Sequence, residues 1–155
     1  MPKVSTSEEL LARYANGERD FDESDLSSAV LIGADLRDVR IRNATLTYAQ
    51  LSGANLSGAN LGGSDLSSAN LISANLEGSN FWEACLISAD LSFSNLRQAN
   101  LSGAYLWEAK LKGACLVESD LSEAKIGGAN LIGADLHKAI LPDGSLFVPG
   151  SLSQS

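Results

Sequence analysis

The chain has 155 residues, enough for one domain, and its 45% hydrophobic and 19% charged residues exclude a disordered polyelectrolyte. A formal net charge of −8 argues against nucleic acid as a direct partner, because phosphate recognition needs a Lys/Arg surface. Two cysteines are too few for a disulfide framework, the first residues lack the apolar stretch of a secretory signal, and no run of about 18 apolar residues offers a membrane span. The expected compartment is therefore the reducing cytoplasm.

In chain order, the first element is a helix. Ser5-Thr6-Ser7-Glu8 reads as a capping box and predicts a helix over 6–16, with Leu10, Leu11 and Tyr14 as its apolar face and Gly17 as its stop. Residues 1–18 form this capping segment.

From Phe21 a period of five begins. Every fifth residue to Leu141 gives 25 positions, of which 21 are Leu; the others are Phe21, Ile41, Phe81 and Ile126. Two residues before each, from Ser24 to Ala139, stand 18 Ala, five Ser and Val39. The Leu position is called i below. Neither an α-helix nor a long strand keeps a five-residue period on one face, whereas a short extended piece followed by a corner does. In that arrangement i−2 and i point inward, i−1 points outward, and i+1 and i+2 turn the corner. Glycine at i+2, as in Gly53 and Gly58, suits the positive φ of a type II turn. The bulky Tyr48, Glu83 and Phe93 at the same position are expected to take other turn types. The outward Asn residues are expected to form stacked amide ladders from one coil to the next.

Gly53-Ala54-Asn55-Leu56-Ser57-Gly58-Ala59-Asn60-Leu61 resembles the pentapeptide-repeat family, whose motif is A-(D/N)-L-x-x. The segment around Glu9 to Phe21 is similar to the N-terminal cap of cyanobacterial members. The resemblance covers about residues 19–143. It implies an all-β solenoid: a right-handed quadrilateral β-helix of about six coils, 20 residues each, behind the short capping α-helix. After the break at Pro142, residues 144–155 form the C-terminal segment. Leu146, Phe147 and Val148 are expected to fold over the last coil, and the tail from Gly150 to be disordered.

No catalytic constellation is present. His137 is the single histidine, on an outward position, so a Ser/His/Asp arrangement has nothing to support it. In the 20-residue coil Cys85 and Cys115 fall on opposite faces, which excludes a disulfide or a shared metal. No enzyme activity, cofactor or metal is expected.

The departures from the motif are what remain for function. Folding positions by 20 brings Trp82, Ile87, Tyr105 and Trp107 together as outward residues, flanked by Glu83 and Glu108, and makes them the candidate partner-binding surface. Ile32, Ile72 and Ile132 share a weaker outward column. Arg37, Arg40 and Arg42 form a small solvated basic corner. The resemblance implies a non-enzymatic interaction or regulatory scaffold for an unknown protein partner, in a setting such as cyanobacterial cell differentiation. The chain would be a monomer or weak homodimer. The alternative is an acidic DNA mimic that binds a type II topoisomerase (gyrase). Neither reading involves direct nucleic-acid or membrane binding.

Overall fold

A computed structural model describes residues 3–149. One helix, α1 (Ser7–Ala15), precedes a series of parallel bridges that join each i−1 residue to the residue 20 positions later. One such column runs Asp20, Arg40, Asn60, Asn80, Asn100, Asp120, Ile140. The chain therefore returns beside itself every 20 residues and winds into a β-helix. The leucines and alanines of the five-residue period form one continuous core along it.

The wiring of a single repeat explains the motif. Within residues 71–75, Leu71 N–H donates to the Asp90 carbonyl at 2.7 Å and Ser73 N–H to the Ser92 carbonyl at 2.9 Å, both in the following coil. Asn75 N–H reaches back to the Ala54 carbonyl at 2.9 Å, and Ala74 N–H closes the corner on the Leu71 carbonyl at 3.1 Å. The remaining donor, Ile72 N–H, goes to Oδ1 of Asn70 at 3.0 Å. All five backbone donors are satisfied, as a backbone packed against a filled core requires. The Asn or Asp at i−1 is thus an Asx turn that serves the N–H two residues on. Among the described residues no Asn–Asn side-chain bond joins successive coils, so the expected amide ladder is replaced by this local bond. At the last corner Ile140 offers no acceptor, and Pro142, two residues on, has no N–H to satisfy.

The corners are uniform. Tyr48, Glu83 and Phe93 do not leave the shared geometry: their φ values are 60°, 53° and 59°, beside 65° at Gly53. The same closing bond, for example Ala49 N–H to the Leu46 carbonyl at 3.0 Å, holds them there. Core filling and coil-to-coil bonds in every repeat overrule the local preference of a non-glycine residue. The five serines at i−2 are buried, and each has a partner: Ser79, Ser94 and Ser119 donate to the carbonyl three residues earlier at 2.6–2.7 Å. Ser64 donates to the Ile41 carbonyl, and Ser24 accepts from Val4 N–H.

The N-terminal cap differs from the expectation by one residue. Thr6 is the N-cap, its Oγ1 accepting from Glu9 N–H at 3.1 Å, while the Glu9 carboxylate pairs with Arg13. Gly17, with φ of 96°, ends the helix as a Schellman motif: Glu18 N–H bonds the Arg13 carbonyl and Gly17 N–H the Tyr14 carbonyl. Leu10 is fully buried and Tyr14 partly, but Leu11 faces outward. Val4, which the sequence reading passed over, is buried and pairs with the first coil through Asp25 N–H.

At the other end an antiparallel bridge joins Ile140 to Leu146, and Phe147 N–H donates to the Ala139 carbonyl. Only Phe147 packs on the core; Leu146 and Val148 remain exposed, contrary to expectation, because the hairpin alternates their side chains outward. Ile126 and Leu131 in the last coil are accordingly only partly covered. The tail from Gly150 lies outside the described residues.

Candidate interaction surface

The four candidate residues divide into two places. Tyr105 and Trp107 share one face, their ring centroids 5.5 Å apart at an interplanar angle of 59°. This is a favoured tilted geometry. Lys125 Nζ lies 4.9 Å from the Tyr105 ring centroid, a cation–π contact from the next coil. Ile87, one coil earlier in the Trp107 column, is half-buried, and Trp107's carbonyl accepts from Ser88 N–H at 2.9 Å. The Trp107 indole leans over Gly127, where an added Cβ would meet Cδ1 at 3.2 Å. Tyr105 and Trp107 keep 36% and 44% of their surface exposed, while Leu106 between them is fully buried. Their outward parts therefore add nothing to the core.

Trp82 sits around the corner, 52% exposed, and makes no ring contact with the pair among the described residues. It borders an open recess of about 190 Å³ lined by Arg42, Asn43, Asn60, Gly62, Asn80 and Trp82. The sequence signal for this recess was a glycine at i+1 between an arginine and a tryptophan 20 residues to either side. Reading Gly62 only as a turn residue conceals it. Glu83 and Glu108 lean over Gly103 and Gly128 of the next coil.

The basic corner is neutralised. Arg42 bonds Asp22 through Nε and Nη2 at 3.1 and 2.8 Å, Arg40 pairs with Asp20 and Asp22, and Arg37 with Asp35 at 2.8 Å. Burial pushes the Asp22 carboxyl up, but hydrogen bonds from Arg42 and the charges of Arg40 and Arg42 prevail and hold it below its ordinary value. Hydrogen bonds from Arg37 similarly lower Asp35. Ile72 is half-buried, while Ile32 and Ile132 are exposed at separate heights and form no patch together.

Chemistry is sparse elsewhere. Cys85 and Cys115 are free, and Cys85 Sγ lies 3.0 Å from Ser67 Oγ. Among the described residues no group of three or more His, Cys, Asp or Glu side chains is placed to hold a metal, and no helix is long and apolar enough to cross a membrane.

A β-helix with a filled core, whose distinctive features are all on its outer faces, defines a solenoid class of protein. The chain belongs to the pentapeptide-repeat family: the family model, "Pentapeptide repeats", matches residues 20–47, 46–82, 84–122 and 114–146. A search of curated proteins finds no match. Among solved structures, the chain is similar to Rfr23, a pentapeptide repeat protein from the cyanobacterium Cyanothece 51142, at 27% identity and a TM-score of 0.67, over 83% of this chain and 95% of that one. HetL, involved in heterocyst differentiation regulation in the cyanobacterium Nostoc sp. strain PCC 7120, aligns at 23% identity and a TM-score of 0.59 over 93% and 100%. Full-length QnrB1, a plasmid-mediated fluoroquinolone resistance protein, aligns at 22% and 0.50 over 80% and 78%. At these identities the last two likenesses are ones of fold.

Proposed function

We propose that this chain is a non-enzymatic protein-interaction or regulatory scaffold, a right-handed quadrilateral β-helix of about six coils that acts in the cytoplasm. The observation that carries the reading is the Tyr105–Trp107 pair: two large rings, in tilted contact and part-exposed, on a face whose core is already filled. Rigid aromatic groups with a polar edge are favoured anchors of protein interfaces. Lys125 beside Tyr105 supplies a charged rim. The partner is an unidentified protein, and the chain itself is a monomer or weak homodimer. Cyanobacterial cell differentiation is the first setting to test, since HetL has this fold.

The alternative, an acidic DNA mimic for a type II topoisomerase, draws on the −8 charge. A mimic needs a continuous negative stripe. The most acidic i+2 column runs Glu23, Asn43, Gly63, Glu83, Gly103, Glu123, Asp143, with neutral residues interrupting the acids. The scaffold reading therefore has the stronger support. Affinity capture with wild type and with Tyr105→Ala/Trp107→Ala tests it: the variant should lose the partner while keeping its fold. Capture of a topoisomerase that survives this variant would favour the alternative.

A further inference from the structure

The recess beside Trp82 is lined in part by side chains with N–H groups to spare, next to the Asn60 Oδ1 and Trp82 carbonyl oxygens that lie nearest Gly62. Asn60 Oδ1 accepts from Gly62 N–H at 3.0 Å and Asn80 Oδ1 from Trp82 N–H at 2.9 Å. Each carboxamide thus has its oxygen engaged and presents its NH2 end, which makes no hydrogen bond among the described residues. Arg42 commits Nε and Nη2 to Asp22 and retains Nη1. The indole of Trp82 closes the C-terminal side, half-exposed. Gly62 creates the space: its column reads Asp22, Arg42, Gly62, Trp82, so the one residue without a side chain lies between the two largest.

We infer that this recess takes a carboxylate of a partner protein, a Glu or Asp side chain or a chain terminus, with its oxygens on the Asn60 and Asn80 NH2 groups and Arg42 Nη1 and its methylenes against Trp82. Three observations lead there. Two carboxamide NH2 groups and a guanidinium N–H call for an acceptor, and an ionised one is bound most strongly. The volume, about 190 Å³, is below the roughly 300–1,000 Å³ of small-molecule pockets and fits a side chain. The chain also shows the pairing within itself: one face away, Glu77 presents its carboxylate to the NH2 of Asn95 at 3.5 Å. The recess lacks such a carboxylate of its own, because the residue in the equivalent place is Gly62. The inference rests on the scaffold reading for its partner but not on the Tyr105–Trp107 pair.

The test is a titration of the full chain with an acetylated tri-glutamate peptide, followed by nuclear magnetic resonance of the side-chain NH2 groups and the Trp82 indole N–H. Tri-glutamate should shift Asn60, Asn80 and Trp82 together, and a tri-glutamine peptide should bind about tenfold more weakly. Gly62→Leu fills the recess and should abolish the response. Gly62 does not have the positive φ of the corner glycines, and serine occupies the same column at Ser102 and Ser122, so Gly62→Ser provides a narrower variant should leucine disturb the fold. Trp107→Ala should leave the peptide response intact, which separates this site from the aromatic pair. Absence of shifts in the wild type, an equal response to tri-glutamine, or an unchanged response in correctly folded Gly62→Leu or Gly62→Ser would overturn the assignment.

Discussion

The backbone N–H of Trp82 donates to Oδ1 of Asn80 at 2.9 Å, and the bond recurs from Ser57 N–H to Asn55, from Glu77 N–H to Asn75 and from Ser102 N–H to Asn100. The outward asparagine of the motif is therefore a backbone cap. Asn75→Val should lower stability by about 1 kcal/mol, while Asn75→Asp, which keeps the acceptor between neutral Asn55 and Asn95, should stay close to wild type. Chemical denaturation of the two variants checks this. Equal losses would show that the amide NH2, and not the oxygen, carries the effect.

Core substitutions should depend on position along the rod. Leu71 is fully buried in mid-rod, and Leu71→Ala should cost roughly 2–5 kcal/mol. Ile126 in the last coil is partly exposed, so Ile126→Ala should cost clearly less. Leu71→Asp should unfold the middle coils, because it places an unpaired charge on the axis. Thermal melting followed by circular dichroism ranks the three variants.

Glycines at the corners and beside them should respond differently. Gly53 has φ of 65° and open space around it, so Gly53→Ala is a pure backbone test and should destabilise by about 1 kcal/mol. Gly62 carries no such conformational demand, and Gly62→Ser should change stability by less than about 0.5 kcal/mol. Melting temperatures of the pair decide whether φ or local space governs these sites.

Acid should dissolve the N-terminal ion pairs. A carboxyl held lower in the folded state contributes stability that is complete above its unfolded value, about 3.9, and is lost as pH falls through the lower folded value. For Asp22 this predicts that Asp22→Asn destabilises at pH 7, by about 1 kcal/mol. The gap from wild type should close as pH falls below 4. Parallel denaturation curves at pH 7 and pH 3 measure it.

The sequence revealed the fold far more fully than the surface. The apolar series from Phe21 to Leu141 and the small residues two positions earlier pointed to short extended pieces joined by corners, because every core position repeats the same physical demand, while the 20-residue return came from the family resemblance. The role of Asn80 was harder to see, since an outward amide suits an intercoil ladder as well as an Asx turn until the donor at Trp82 is counted. Leu11 and Leu146 look like core by composition; the phase of a single helix turn and of one hairpin turns them outward. On the surface, the period placed Trp82 one face before Tyr105 and Trp107, but could not show that its ring makes no contact with theirs. The recess depends on what Gly62 lacks, which no hydrophobic pattern reports.

The most direct measurement of the central claim is thermal melting and affinity capture, side by side, for Tyr105→Ala/Trp107→Ala and Trp82→Ala/Trp107→Ala against wild type. The rings lie outside a core that stays intact, so both variants should melt close to wild type. Capture of the partner should fall by roughly 2 kcal/mol or more of binding energy for a central anchor. Early melting with undiminished capture would contradict the account and make the aromatic residues packing for the coils beneath them.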